Sequence, residues 1–341
     1  MSAGTASTGP KIAVFRGLYL GDLIAATPAL RALRHGYPGA EITLVSLPWA
    51  TALAPHLSGL VDRLLPYPGA PGLDGEGSEE DLRKFLFRMR AERFDLAINM
   101  HGRGPESTRL VARFGAHVTA GFVGGAEDGI SDLGITVPWD AETHESRKLL
   151  LLAEKAGGVP TGAASGAEPE LHVYEEDYRR ASMLLPIGLR KPVAIVHPGA
   201  SVPEKRWPDE DFGRVAESLV RRGYAVAVTG STGEKELTRR VSEAAPGSVD
   251  LGGTTELSTL IALVARASIL VSNDTGPAHL AYALKTPSVT LFGPSTDAGR
   301  WGPLDRERHA VLRDDPISNV SAVDALQSIE ALTAERERVG V

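Results

Sequence analysis

At 341 residues, with 43% hydrophobic and 23% charged side chains, the chain has a globular makeup and enough length for two cores, so neither disorder nor a fibrous fold is suggested. A formal net charge of −7 argues against nucleic-acid binding, and zero cysteines exclude a disulfide scaffold, a thiolate nucleophile and Cys-ligated metal. The opening MSAGTASTGPK has no signal-peptide core, and no apolar run nears the ~20 residues of a spanning helix, so a soluble cytoplasmic protein with a frayed start is expected.

In chain order, Lys11 to Arg16 reads as an apolar strand running into Gly17-Leu-Tyr-Leu-Gly21-Asp22, before a helix that carries Leu23, Ile24, Ala26, Leu30 and Leu33. The glycines are spaced wrongly for a dinucleotide fingerprint, and Asp22 would repel a diphosphate. An acid there serves either as a cap or as a base for a reacting hydroxyl. Strands follow at Glu41 to Leu47 and Val61 to Tyr67, separated by a short helix over Trp49 to Leu57, and the Gly- and Pro-rich Pro68 to Ser78 reads as a loop. Glu79 to Arg93 is an amphipathic helix with Arg83, Lys84, Arg88, Arg90 and Arg93 around an apolar stripe. It reads first as a solvated surface helix, with contact to anionic lipid as the alternative. Phe94 to Met100 is a strand ending at His101-Gly102-Arg103-Gly104, which puts His101 and Arg103 at a sheet's C-terminal edge. A helix over Pro105 to Phe114 and a strand over Val118 to Phe122 complete a doubly wound first half. The Gly- and Asp-rich Gly124 to Pro138 reads as a loop, Thr143 to Ala156 as a helix, and Gly157 to Pro169 as an interdomain linker.

The second half starts with a helix over Glu175 to Leu185 and a strand over Pro192 to Pro198, leading to Gly199 through Lys205-Arg206-Trp207-Pro208. Two cations at a strand end suit an anion site that Trp207 would close; a plain surface loop is the alternative. After a helix over Asp209 to Arg222 and a strand over Ala225 to Thr229, Gly230 to Glu234 opens a helix through Val241. Glu234 there either takes ribose hydroxyls or favours the helix dipole. Asp209-Glu210-Asp211 has a metal-binding D-x-D form but sits at a helix start, where capping explains it better. A strand over Val249 to Leu251 and a helix over Glu256 to Ala265 lead to the strand Ile269 to Val271. There Ser272 to Gly276 turns into a helix whose N-terminal amides and partial positive charge suit phosphate oxygens. Ser288 to Phe292 is a central strand, His309 to Arg313 an edge strand and Val320 to Arg338 a final helix. The histidines lack metal-ligand spacing, and neither a nucleophile elbow nor a P-loop occurs.

Arg16 to Asp22 with Thr27-Pro-Ala-Leu30, His101-Gly102, His197-Pro-Gly-Ala200 with Lys205-Arg-Trp-Pro208, Asn273-Asp-Thr-Gly-Pro-Ala-His279 and Phe292-Gly-Pro294 together resemble glycosyltransferase family 9. The resemblance spans nearly the whole chain, and its best-known members are ADP-heptose lipopolysaccharide heptosyltransferases. It implies an α/β fold of GT-B type, with two Rossmann-like doubly wound domains facing a central cleft. Residues 1–165 would bind the acceptor and residues 170–341 the nucleotide-sugar, with the final helix, 320–338, free to pack back toward the first domain. It also implies metal-independent inversion with no cofactor, a nucleoside-diphosphate sugar as donor, and a glycan or glycolipid acceptor at the inner membrane face. By the resemblance Asp22 falls on the general base and Lys205 on the donor diphosphate. Asp274, Thr275, Gly276 and His279 fall on the donor loop, Glu234 on the ribose, and Arg16, Gly21, His101 and Arg103 along the cleft. A GT-B-like epimerase or hydrolase, and a non-catalytic nucleotide-sugar binder, would share these domains.

Overall fold

The computed structural model describes residues 9–70, 72–124, 133–161, 166–185 and 191–339, with side chains to 334. The first residues, Pro71 in its loop, 125–132 of the Gly- and Asp-rich loop and 162–165 of the linker lie outside that description. The chain divides into two compact units, Met1–His172 and Val173–Val341.

In the first unit the strands are β1 (Lys11–Phe15), β2 (Glu41–Ser46), β3 (Arg63–Pro66), β4 (Leu96–Asn99), β5 (Val118–Val123) and β6 (Ile135–Pro138). They pair in parallel in the order β3-β2-β1-β4-β5-β6. The core strands are buried at nearly every position, as in a sheet covered on both faces. On one face α3 (Glu79–Glu92) and α4 (Pro105–Ala112) bury Phe85, Leu86, Met89, Leu110 and Val111 against Ala13, Phe15 and Ala97. The other helices are α1 (Leu20–Ala25), α2 (Thr27–Gly36) and α5 (Glu145–Lys155); α5 packs along α2 and touches α1, β5 and β6.

The second unit contains β7 (Val193–His197), β8 (Ala225–Val228), β9 (Val249–Asp250), β10 (Ile269–Asn273), β11 (Ser288–Phe292) and β12 (His309–Arg313). Their parallel order, β12-β11-β10-β7-β8-β9, repeats the first unit's topology. Helices α7 (Asp209–Arg221), α8 (Lys235–Glu243) and α12 (Ala322–Val339) bury Phe212, Val215, Leu219, Val241 and Ile329 on one face. Helices α6 (Glu175–Leu184), α9 (Leu257–Arg266) and α10 (Gly276–Leu284) form another packed set, with α9 against β7 and α10 against β10 and β11.

Several boundaries differ from the sequence reading. The stretch expected as one helix over Trp49 to Leu57 is two short 3₁₀ turns, Pro48–Ala52 and Ala54–Leu57, each with proline in its opening turn. Asp22 lies inside α1, and the helix expected after it breaks at Ala26, next to Thr27-Pro28 at the start of α2. The segment read as a loop to Pro138 ends in β6, whose four residues are too few to show an alternation. A short helix, α11 (Ala298–Trp301), capped by Asp297, occupies the loop after Pro294. The final helix packs on α7, β11 and β12 of its own unit, because Ala325 and Ile329 complete that unit's core. Among the described residues, no helix is long and apolar enough to cross a membrane.

Candidate functional site

The strand order reverses direction between β1 and β4, and in open parallel sheets the crevice beyond such strand ends is where ligands bind. The loops leaving these two strands carry Arg16, Gly17, Asp22 and His101. Arg16 is fully buried: its Nε donates to the Asp22 carbonyl at 2.6 Å, Nη1 to the Met100 carbonyl, and Nη2 to Asp22 Oδ1 at 3.1 Å. The guanidinium therefore ties the end of β1 to the end of β4. Asp22 Oδ2 accepts from the Tyr19 N–H at 3.2 Å, so the capping role is real. Its side chain remains 16% exposed, and each carboxylate oxygen keeps lone pairs for another proton. Gly21 lies in the first turn of α1, and Arg103 points into solvent beyond the cluster.

Behind Arg16 stands a network that the sequence reading missed. Glu145, in the first turn of α5, accepts from Arg16 Nη2 at 3.2 Å through Oε1 and from Lys148 Nζ at 3.2 Å through Oε2. Lys148 Nζ lies 3.9 Å from the centroid of the Trp139 ring. All three charged side chains are buried. With Asp22 they form two cations and two anions, the balance that buried charge requires. The available signal was Glu145-x-x-Lys148 just before the apolar run Leu149 to Ala153, a spacing that sets both groups on one face.

His101 stacks on Phe15 with ring centroids 5.0 Å apart, and its Nδ1 accepts from the Gly17 N–H at 3.3 Å. Burial, followed by the Arg16 charge, lowers its pKa from 6.5 to about 4, so it is a neutral imidazole near pH 7. Asn99, at the end of β4, holds this loop: its Oδ1 accepts from the His101 N–H at 3.1 Å and its Nδ2 donates to Ser107 and Thr108 hydroxyls at 3.0 Å.

The second unit uses the same positions. Its order reverses between β7 and β10, and the loops leaving those strands carry Lys205 and Asp274. Asn273 occupies the place that Asn99 has in the first unit. It accepts from the Trp207 N–H at 2.9 Å and donates to the Pro198 carbonyl at 2.8 Å, binding the two loops together. Lys205 Nζ then reaches Asp274 Oδ2 at 3.0 Å, with Asp274 buried and Lys205 24% exposed. An ammonium carries three protons, and the carboxylate uses one. His279 Nε2 is 3.9 Å from Asp274 Oδ1, and its ring lies edge-on to Tyr282 and Trp301. Thr275 N-caps α10 without a side-chain capping bond, Gly276 follows, and Pro277 brings no N–H to the first turn. The hydroxyl of Thr275 and the Gly276 amide are thus presented at the positive end of the helix.

Glu234 stands one strand over, after β8. Its Oε2 accepts from both the N–H and the hydroxyl of Ser231 at 2.8 Å, closing a capping box around the turn Thr232–Glu234. A Cβ added at Gly199 would lie 2.2 Å from Glu234 Oε1, so only glycine lets the carboxylate rest against the loop after β7. His197, beneath, shares a 3.0 Å hydrogen bond with the Thr229 hydroxyl, and burial lowers its pKa to about 4 against the opposing influence of Glu234.

Two local expectations fail here. Trp207 closes no anion site: its ring packs on Phe212 in the core, 4.9 Å between centroids, and its Nε1 donates to the Val320 carbonyl at 2.8 Å. Arg206 is turned back onto the Ala200 carbonyl, at 2.9 Å from Nη2, leaving Lys205 as the cation beside Asp274. Asp209 begins α7 after the N-cap Pro208 and pairs with Arg240 at 2.5 Å, so the D-x-D segment forms first-turn charges of a helix.

A family model described as glycosyltransferase family 9 (heptosyltransferase) matches residues 82–329. The chain belongs to glycosyltransferase family 9. It is 27% identical over 298 residues to lipopolysaccharide heptosyltransferase 2 of Escherichia coli strain K12, covering 84% of this chain and 83% of that protein. In structure it is similar to a family 9 glycosyltransferase from Veillonella parvula, with a TM-score of 0.84, 23% identity and coverage of 96% and 98%. It is similar also to E. coli ADP-heptose LPS heptosyltransferase II, with a TM-score of 0.79, 22% identity and coverage of 96% and 99%. This family 9 glycosyltransferase therefore has the GT-B architecture of two Rossmann-like units. Arg16, Gly21, Asp22 and His101 come together in the first unit; Lys205, Asp274, Thr275, Gly276 and His279 come together in the second, with Glu234 at the adjoining strand end.

Proposed function

We propose that this glycosyltransferase moves a heptose from ADP-heptose to a hydroxyl of a lipopolysaccharide-core acceptor, with inversion and without a metal ion, the first unit binding the acceptor and the second the donor. In this reaction the acceptor oxygen bonds to the anomeric carbon as the bond from that carbon to the diphosphate breaks, and the acceptor proton passes to Asp22. A base must lie within about 2.6–3.2 Å of the group it deprotonates. Asp22 is suited to this because Arg16 clamps its main chain and one oxygen, while part of the carboxylate stays accessible. The departing nucleoside diphosphate gains negative charge. Lys205, Thr275 and the N-terminus of α10 offer it a cation, a hydroxyl and backbone amides, stabilisation of the kind a metal ion supplies elsewhere. Glu234 is the ribose acceptor, and Asp274 holds Lys205 in place.

The observation that carries this reading is the Lys205–Asp274 pair at a topological switch point beside a helix N-terminus. The names of the relatives support heptose and ADP. A glycolipid acceptor places the enzyme at the cytoplasmic face of a membrane. The test is thermal stabilisation by ADP-, UDP-, GDP- and dTDP-linked sugars with EDTA present, since a ligand that binds the native state raises its melting temperature. ADP-heptose is expected to stabilise most. Equal or absent shifts for all donors would overturn the donor assignment.

A further inference from the structure

Helix α3 presents to solvent a face that the transfer chemistry does not use. Its inward side buries Phe85, Leu86 and Met89, which leaves Phe87 at the opposite pole, 78% exposed. Phe87 is one turn from Arg83 and Lys84 and adjacent to Arg88, all exposed. Lys84 pairs with Glu80 at 2.8 Å and Arg88 lies near enough to Glu92 to add to Arg63 in lowering its pKa, whereas among the described residues Arg83 and Arg88 have no carboxylate within ion-pair distance. Helix α4 extends the same surface. Arg90 of α3 donates to the Arg113 carbonyl at 3.2 Å, which joins the end of one helix to the end of the other, and Arg109 and Arg113 are exposed and, among the described residues, without ion pairs.

In a chain of net charge −7, an exposed phenylalanine flanked by Arg83 and Arg88 and bordered by Arg90, Arg109 and Arg113 is a specific local feature, with the helix's acids, Glu79 to Asp81 and Glu92, at its two ends. A large exposed aromatic costs hydration and makes no contribution to the core. Arginines around it would attract phosphate-bearing headgroups while the ring enters the boundary between headgroups and acyl chains. We propose that the outer face of α3 and α4, centred on Phe87, docks this glycosyltransferase peripherally onto an anionic lipid bilayer. The proposed activity gives a reason for membrane contact, but docking is measured without donor or acceptor, so either idea can fail alone.

The experiment is flotation of the full chain with vesicles of phosphatidylcholine alone or phosphatidylcholine mixed with phosphatidylglycerol. Binding is expected to be at least about tenfold stronger on the anionic vesicles and to weaken as salt is raised. Phe87→Ser should reduce it severalfold. Arg83→Gln with Arg88→Gln should reduce it roughly 10-fold or more, at the rate expected for basic groups near an anionic surface. The same charge change on α6, Arg179→Gln with Arg180→Gln, should leave binding intact. These side chains are exposed, so melting temperatures should stay near the parent's. Binding that ignores lipid charge, no binding to either vesicle, or equal losses from the α3 and α6 pairs would overturn the proposal.

Discussion

Glu145→Gln tests whether the buried network behind Arg16 works as a charge-balanced unit. The substitution keeps the shape of the side chain and an acceptor oxygen but removes a negative charge shared by Arg16 and Lys148, each 3.2 Å away and buried. Arg16 then relies on Asp22 for its counter-charge, and Lys148 keeps the Trp139 ring at 3.9 Å. Breaking a buried pair from one side costs about 3–5 kcal/mol, because the remaining charge stays desolvated. For a unit of this size that corresponds to a melting temperature lower by roughly 6–20 °C. A second variant, Glu145→Gln with Lys148→Met, removes one charge of each sign and substitutes an apolar side chain of similar length, and it should recover most of the loss. The assay is thermal and urea unfolding of parent, single and double variants, read by fluorescence and circular dichroism. A single variant within about 1 kcal/mol of the parent, the worth of a surface pair, would refute the reasoning. So would a double variant as unstable as the single one.

Other outcomes follow from the second unit. Lys205→Ala should lower kcat by about 10²–10³-fold and weaken donor binding, as loss of a group facing developing charge does; steady-state kinetics with varied donor checks it. Gly199→Ala puts a methyl where Glu234 Oε1 now lies, 2.2 Å from the new Cβ, so the carboxylate must swing away. Donor KM should rise roughly tenfold, the worth of one hydrogen bond to a charged group, with the melting temperature little changed. Burial lowers the pKa of His309 from 6.5 to about 4. Between those values the unfolded chain takes up a proton that the native site refuses. Stability should therefore be full above pH 6.5 and fall as pH drops toward 4, by about 1.4 kcal/mol per pH unit from this residue. Unfolding of His309→Gln across that range should show a shallower slope.

The β-α alternation was legible because parallel strands buried on both faces begin as continuous apolar runs, Ile269 to Val271 and Val193 to Val196, before the polar residues at their C-terminal ends. Elements without such a pattern were lost: β6 is four residues long, and the 3₁₀ turns around Trp49 have helical-looking spacing over too few residues. The loop residues at the strand ends stood out by type and by their small-residue neighbours. What held them did not. Glu145 lies 129 residues from Arg16 in sequence, and no local period reveals that α5 carries it there. Trp207 was misjudged for a related reason, since an aromatic beside two cations in a loop gives no sign that Phe212 and Val320 enclose it.

The most direct test of the transfer mechanism is Asp22→Asn, with donor affinity measured by calorimetry and turnover measured on the same preparation. Asparagine keeps an acceptor for the Tyr19 N–H, so the turn into α1 should persist. We expect donor affinity to stay within about twofold of the parent while kcat falls by about 10²–10⁴-fold, the range for loss of a general base. A variant that turns over at near the parent rate would contradict the assignment and leave Asp22 as a helix cap.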